Sequence, residues 1–132
     1  MVYLSHWTRP DILNSVRDLS RHVQCPGVEH YQAMLRCMTY CVNMREVGIK
    51  MRAEREWDGG KNHKFRVEGF GDASTNQCPD TGKSVSGAAT TLEGAPVVTR
   101  SNMQSTVKLS STESELDSMV TTAQDMLFVK TQ

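Results

Sequence analysis

The chain has 132 residues, 15 basic against 15 acidic, and four cysteines. That length holds one modest domain or pieces of two, and a formal charge of zero gives no global pull toward nucleic acid, so any such contact has to be local. No apolar run approaches the ~20 residues of a membrane helix, no signal-like segment opens the chain, and Cys25, Cys37, Cys41 and Cys78 are unevenly spaced. The expectation is therefore a soluble, reduced, cytoplasmic protein without a membrane partner.

In chain order, Thr8-Arg9-Pro10-Asp11-Ile12 puts a proline where a first helical turn accepts it and an acid beside the helix N-terminus. Ile12, Val16, Leu19 and Val23 follow at helical spacing, predicting a helix from about Asp11 to Val23. Pro26 and Gly27 break it. Tyr31, Leu35, Met38 and Val42 then repeat on one face, predicting a second helix from about Glu29 to Arg45 and thus an N-terminal helical hairpin. Gly48-Ile49-Lys50-Met51 reads as a short strand, and the polar stretch 57–63 as a linker between residues 1–56 and 64–132.

From Lys64 the period changes. Phe65, Val67 and Phe70 lead into Gly71-Asp72, a strand carrying an acid at its end. A turn-rich stretch around Cys78-Pro79-Asp80 precedes strands expected at Ser84 to Leu92 and Pro96 to Arg100, joined by a Glu93-Gly94-Ala95 turn, and a short strand at Ser105 to Leu109. The last element is the clearest. Ser110 lies three residues before Glu113, a capping-box spacing, and Leu116, Met119, Val120, Ala123 and Leu127 line one face of a helix from about Ser111 to Val129. The expected fold is α+β: a helical hairpin, then a three-stranded meander packed by one helix.

A strand ending in Asp72 and a helix with Glu115 in its first turns bring two carboxylates from distant positions into one neighbourhood, the hard oxygen donors that magnesium takes. Acids at such places are also ordinary caps and solvated groups. His22, Cys25, His30, Cys37 and Cys41 invite zinc, yet no short Cys-x-x-Cys pair anchors them, and cysteine on an amphipathic helix is commonly a small core residue. Lys83, Arg100 and Lys108 lie on or beside the expected strands, where a cation meets either a phosphate backbone or solvent.

Three stretches resemble copia-type retrotransposon polyproteins. Tyr3-Leu4 with Thr8-Arg9-Pro10-Asp11-Ile12, Leu19-Ser20-Arg21 and Glu29-His30 is similar to the end of the reverse transcriptase. Gly69-Phe70-Gly71-Asp72-Ala73, Pro79-Asp80 and Ser84-Val85-Ser86-Gly87 resembles the opening of the ribonuclease H domain. Gln104-Ser105-Thr106-Val107-Lys108-Leu109-Ser110-Ser111-Thr112-Glu113-Ser114-Glu115 is similar to that family's most distinctive string, lacking its usual small residues at Lys108 and Ser114.

The resemblance implies that residues 1–56 are the tail of a reverse transcriptase and 64–132 a partial ribonuclease H-like domain. It makes Asp72 the first catalytic aspartate and Glu115 the catalytic glutamate of a site that holds two Mg2+ ions and cuts the RNA of an RNA/DNA hybrid. It also implies two further acidic ligands after Gln132 and the polymerase aspartates before Met1. Asp117 and Asp125 share a helix with Glu115 and do not replace a ligand delivered from a neighbouring strand. The expected partners are an RNA/DNA hybrid, the remainder of the polyprotein and, through an unpaired sheet edge, a second copy. The expectation is a chain of ribonuclease H ancestry with little or no cleavage of its own, or else a noncatalytic remnant that binds nucleic acid or a partner.

Overall fold

The computed structural model describes residues 1–131 and divides into two compact units, Met1–Ile49 and Lys50–Gln132. Together they are mixed α and β, with an open antiparallel sheet, as the sequence patterning predicts.

The first unit holds helices α1 (Val2–Trp7), α2 (Leu13–Ser20) and α3 (Val28–Asn43), with a 3-10 turn, Pro10–Ile12, leading into α2. Proline suits that first turn because its fixed φ is already helical and its missing N–H has no intrahelical partner there. The turn is held by Arg9, 5% exposed, whose Nε and Nη2 donate to Asp11 at 2.9 and 2.8 Å while Nη1 donates to the Met44 carbonyl at 2.9 Å. Tyr40 completes the clamp, its hydroxyl donating to Asp11 at 3.0 Å and its ring lying 5.4 Å from the Arg9 guanidinium carbon. Arg9 first, then burial and Tyr40 act on Asp11, with the net effect that its carboxyl lies below the ordinary value. The acid expected to serve a helix N-terminus instead ties the start of α2 to the end of α3.

The core of this unit is small: Ile12, Val16 and Cys37, with Cys41 packed against them. Burial raises the Cys37 thiol above its ordinary value, as befits a core residue. The expected stripe of Tyr31, Leu35, Met38 and Val42 is exposed, because α3 turns Cys37 inward instead. The helix expected to reach Val23 ends at Ser20, and Val23 is exposed beside the Pro26-Gly27 break. No strand forms at 48–51.

In the second unit, residues 50–66 have neither helix nor strand, and β1 (Val67–Ser74), β2 (Val85–Leu92) and β3 (Ala95–Met103) form a meander in that order. Glu93 and Gly94 make a two-residue turn with φ of 51° and 81°, the mirror-image geometry that matches the twist of a hairpin. A non-glycine residue resists positive φ, so this turn needs outside support. It has it: Arg55 donates to both Glu93 carboxylate oxygens at 2.7 and 2.5 Å, the Arg66 N–H donates to the same carboxylate at 2.6 Å, and the Glu54 N–H donates to the Glu93 carbonyl at 2.8 Å. Pro96 lies on the edge strand, where a missing N–H costs no ladder bond, next to the register shift after Thr90. β3 continues to Met103, and the strand expected at 105–109 does not form.

Helix α4 (Ser111–Thr131) starts at the predicted cap: the Glu113 N–H donates to Ser110 Oγ at 3.2 Å and the Glu113 carboxylate accepts from the Leu109 N–H at 3.0 Å. Its buried residues are Ser114, Ser118, Thr122 and Asp125. The apolar stripe expected to pack, Leu116, Met119, Val120, Ala123 and Leu127, faces solvent. The reason lies in the strand opposite. A Cβ at Gly69 would overlap the Met126 and Thr122 side chains and one at Gly71 the Thr122 hydroxyl, so α4 lies close against β1 with Ser118, Thr122 and the Met126 thioether over the two glycines.

Candidate functional site

Strand pleat fixes where each carboxylate goes. Gly69 and Gly71 face α4, so Glu68, Phe70 and Asp72 project from the other face, which leaves Phe70 60% exposed and Asp72 exposed. Asp72 pairs with Gly87 of β2 and lies inside the strand, two residues before its end.

Its main chain is joined to α4. Ser118 Oγ lies 2.8 Å from the Asp72 carbonyl and 3.2 Å from the Gly87 carbonyl, and Thr75 meets Ser114, hydroxyl to hydroxyl, at 2.8 Å. Glu115 is half-buried one helical turn before Ser118. The structure thus brings the end of β1 and the first turns of α4 together, with Asp72 leaving the sheet on the face away from the helix. Among the described residues, no three of His, Cys, Asp and Glu come together as metal ligands. Two carboxylates delivered this way do not make up the donor set of a two-ion site.

The other acids of α4 are committed elsewhere. Asp125, 5% exposed, accepts from Arg100 Nε at 2.7 Å, and Asp117 lies 3.5 Å from Lys108 Nζ, which is also 3.7 Å from Glu113. Two of the three cations considered for phosphate contact, Arg100 and Lys108, are therefore already paired within the chain; Lys83 is half-buried in the turn before β2. His22 and His30 stack at 3.9 Å between ring centroids, and His30 Nδ1 accepts from the Gly27 N–H at 2.9 Å, so that pair serves the α2–α3 turn.

Gln104 is the residue that spacing alone did not single out. Its amide donates to Ser86 Oγ at 2.8 Å and to the Ser114 carbonyl at 2.9 Å, which sets the first turn of α4 against β2, and its own carbonyl oxygen is buried without a partner. With Ser86, Arg100, Asn102, Asp117 and Thr121 it lines a polar cleft of about 200 Å³ between β3 and α4. Ser114, Ser118 and Thr122 recur at four-residue spacing, a small polar stripe visible in the sequence beside the apolar one.

The chain is 28% identical over 130 residues to a retrovirus-related Pol polyprotein from transposon TNT 1-94 of Nicotiana tabacum, and 29% identical over 123 residues to that from transposon RE1 of Arabidopsis thaliana. Those matches cover 98% and 93% of this chain but only 9% and 8% of the polyproteins, so the chain spans less than a tenth of their length. It is also 29% identical over 129 residues to secreted RxLR effector protein 161 of Plasmopara viticola, covering 85% of that protein. No family model matches the chain, and no solved structure matches it significantly. The expected resemblance to retrotransposon polyproteins is thus met along nearly the whole chain.

Proposed function

We propose that the chain is a piece of a retrotransposon Pol polyprotein in which residues 1–56 correspond to the end of the reverse transcriptase and residues 64–132 to the opening half of a ribonuclease H domain. The parent activity is magnesium-dependent cleavage of the RNA strand in an RNA/DNA hybrid. The observation that carries this reading is the match of nearly the whole chain to retrotransposon Pol polyproteins, with an aspartate on the first strand of the meander and a glutamate one turn into the helix that follows it. In the complete site bound magnesium would activate a water and stabilise the leaving oxygen. Asp72 and Glu115 supply two of the four carboxylates, and no cleavage step is assigned to this chain alone. Such a module meets a hybrid through backbone shape and 2′-hydroxyl contacts rather than base sequence.

The test is a chimera that carries this chain followed by the segment that comes after the matching region of the TNT 1-94 polyprotein. It gains magnesium-dependent hybrid cleavage that Asp72→Asn and Glu115→Gln each abolish. A folded chimera that cleaves nothing, or one that the two substitutions leave unchanged, overturns the assignment.

A second reading rests on the Plasmopara relative, a protein matched over 85% of its length. A relative of nearly this size favours a noncatalytic module that stands apart from any polyprotein and binds a partner or nucleic acid. The chimera separates the two readings, since a chain adapted to binding alone does not regain cleavage.

A further inference from the structure

Charge is unevenly spread along the chain. Residues 50–66 carry six basic side chains against three acidic ones, while residues 67–132 carry four against eight, so the neutrality of the whole conceals a basic segment on an acidic unit. The segment has neither helix nor strand, yet it is fixed. Arg55, the Arg66 N–H and the Glu54 N–H hold it to the Glu93-Gly94 turn, and Arg55 Nη2 also donates to the Lys64 carbonyl at 3.2 Å. At 57–60 the chain folds back on itself: Asp58 accepts from the Gly60 N–H at 2.8 Å, Gly59 takes a φ of 76° that suits glycine, and Trp57 Nε1 donates to the Gly60 carbonyl at 3.3 Å. Trp57 stands beside Phe65, ring centroids 6.2 Å apart, and His63 meets Phe65 edge-on at 4.8 Å.

The clamp leaves two groups of side chains without a task. Trp57 and Phe65 are 63% and 52% exposed, although an indole beside a phenyl ring is a surface that a fold normally covers. Lys50, Arg52, Lys61 and Lys64 are exposed and have no ion pair among the described residues, whereas Arg55 is engaged by Glu93 and Arg66 by Glu54 and Glu68. Of the three acids in the segment, Glu54 is paired with Arg66 and Asp58 faces His63 at 3.7 Å, which leaves Glu56 against four unpaired cations.

We propose that residues 50–66 form a contact site for single-stranded nucleic acid. Trp57 and Phe65 stack on unpaired bases, and the phosphates meet Lys61, which follows the Gly60 that Trp57 holds, and Lys64, which precedes Phe65. Aromatic faces accept any base, but only one that is not already stacked within a duplex, and cations beside them neutralise the backbone. The clamp orders the site before a strand arrives, so less freedom is lost on docking. The acidic remainder of the unit repels a backbone that strays from the basic segment. The site lies at the Val67 end of β1, away from Asp72, and does not depend on the ribonuclease H reading.

The test is fluorescence anisotropy of a labelled oligonucleotide single strand titrated with the full chain from low to physiological salt, with unlabelled duplex and poly-glutamate as competitors. Trp57→Ala weakens binding by about tenfold or more, and Trp57→Phe keeps most of it. Lys61→Ala together with Lys64→Ala weakens binding and lowers the slope of log K against log salt by about 1.4, as two phosphate contacts on a single strand require. A chain that binds no single strand at low salt overturns the proposal. So does binding that these substitutions leave unchanged, which places the contact elsewhere, for example at Lys83. A duplex or poly-glutamate that competes as well as the single strand overturns it too, because the surface would then attract any polyanion. Circular dichroism follows folding; if Trp57→Ala unfolds the chain, the lysine pair, whose side chains hold no ion pair, decides alone.

Discussion

The two units solve the same problem by different means. The first buries few apolar side chains, Ile12, Leu13, Val16 and Cys37, and relies on a charged clamp, Arg9 with Asp11, Tyr40 and the Met44 carbonyl, to join its helices. The second seals a helix against a sheet with almost no large apolar side chains, using two glycines, three hydroxyls and close approach. A core that rests on a few aliphatic residues is sensitive to removal of volume. A contact that rests on small residues is sensitive to its addition.

The largest effect should therefore come from Ile12→Ala, at about 3 kcal/mol, confined to the first unit. Amide hydrogen exchange reports it as faster exchange in residues 1–49 while β1 to β3 keep their protection. Equal loss in both units would mean that they share one cooperative core. Next is Gly71→Val, whose added atoms overlap Thr122 and Ser118 and destabilise the second unit by about 2 kcal/mol. Urea unfolding with the same exchange readout checks that the first unit is untouched.

Ser118→Ala comes third. It deprives the Asp72 and Gly87 carbonyls of a donor and costs about 1 to 2 kcal/mol, with fraying of the β1–α4 junction in the exchange pattern. An effect no larger than that of a solvent-facing serine would remove the junction as an organising feature.

Last comes Glu93→Gln, whose effect is largest at neutral pH and shrinks as the solution is acidified. The Arg55 guanidinium first, then the Arg66 N–H, hold the Glu93 carboxyl down at about 2, against an ordinary value of 4.5. A carboxyl depressed in the folded state contributes stability that is present above pH 4.5 and lost as pH falls from there through about 2. The second unit should lose stability across that window, and the glutamine variant should show a flatter acid limb. Identical acid limbs would mean that the clamp on the turn carries no linkage.

Much of this was legible in the sequence. Alternation located β1 and β2, the Glu93-Gly94 turn followed from its glycine, and Ser110 with Glu113 marked the start of α4 to the residue. The faces were harder. Hydrophobic periodicity put Leu116, Val120 and Leu127 inward because apolar stripes usually face the core, and it missed that Gly69 and Gly71 let the Ser114, Ser118 and Thr122 face of the helix, with Met126, close onto the sheet instead. The same error befell Tyr31, Leu35 and Val42, since local periodicity does not say which of two moderately apolar faces finds a neighbour. Arg9 and Glu93 escaped notice as anchors because their partners, Met44 in one case and Arg55 and Arg66 in the other, lie about 30 to 40 residues away. Asp72 and Glu115 rested on family resemblance, which spacing alone would not have supplied.

We propose that Asp72 and Glu115 are inherited ligands of an incomplete ribonuclease H site. This is tested most directly by incubating the purified, folded chain with a labelled RNA/DNA hybrid and magnesium, beside its Asp72→Asn variant. Neither protein is expected to cleave the hybrid. Magnesium-dependent cleavage by the chain that Asp72→Asn abolishes would contradict it, because a working site would then form from the carboxylates this chain already holds.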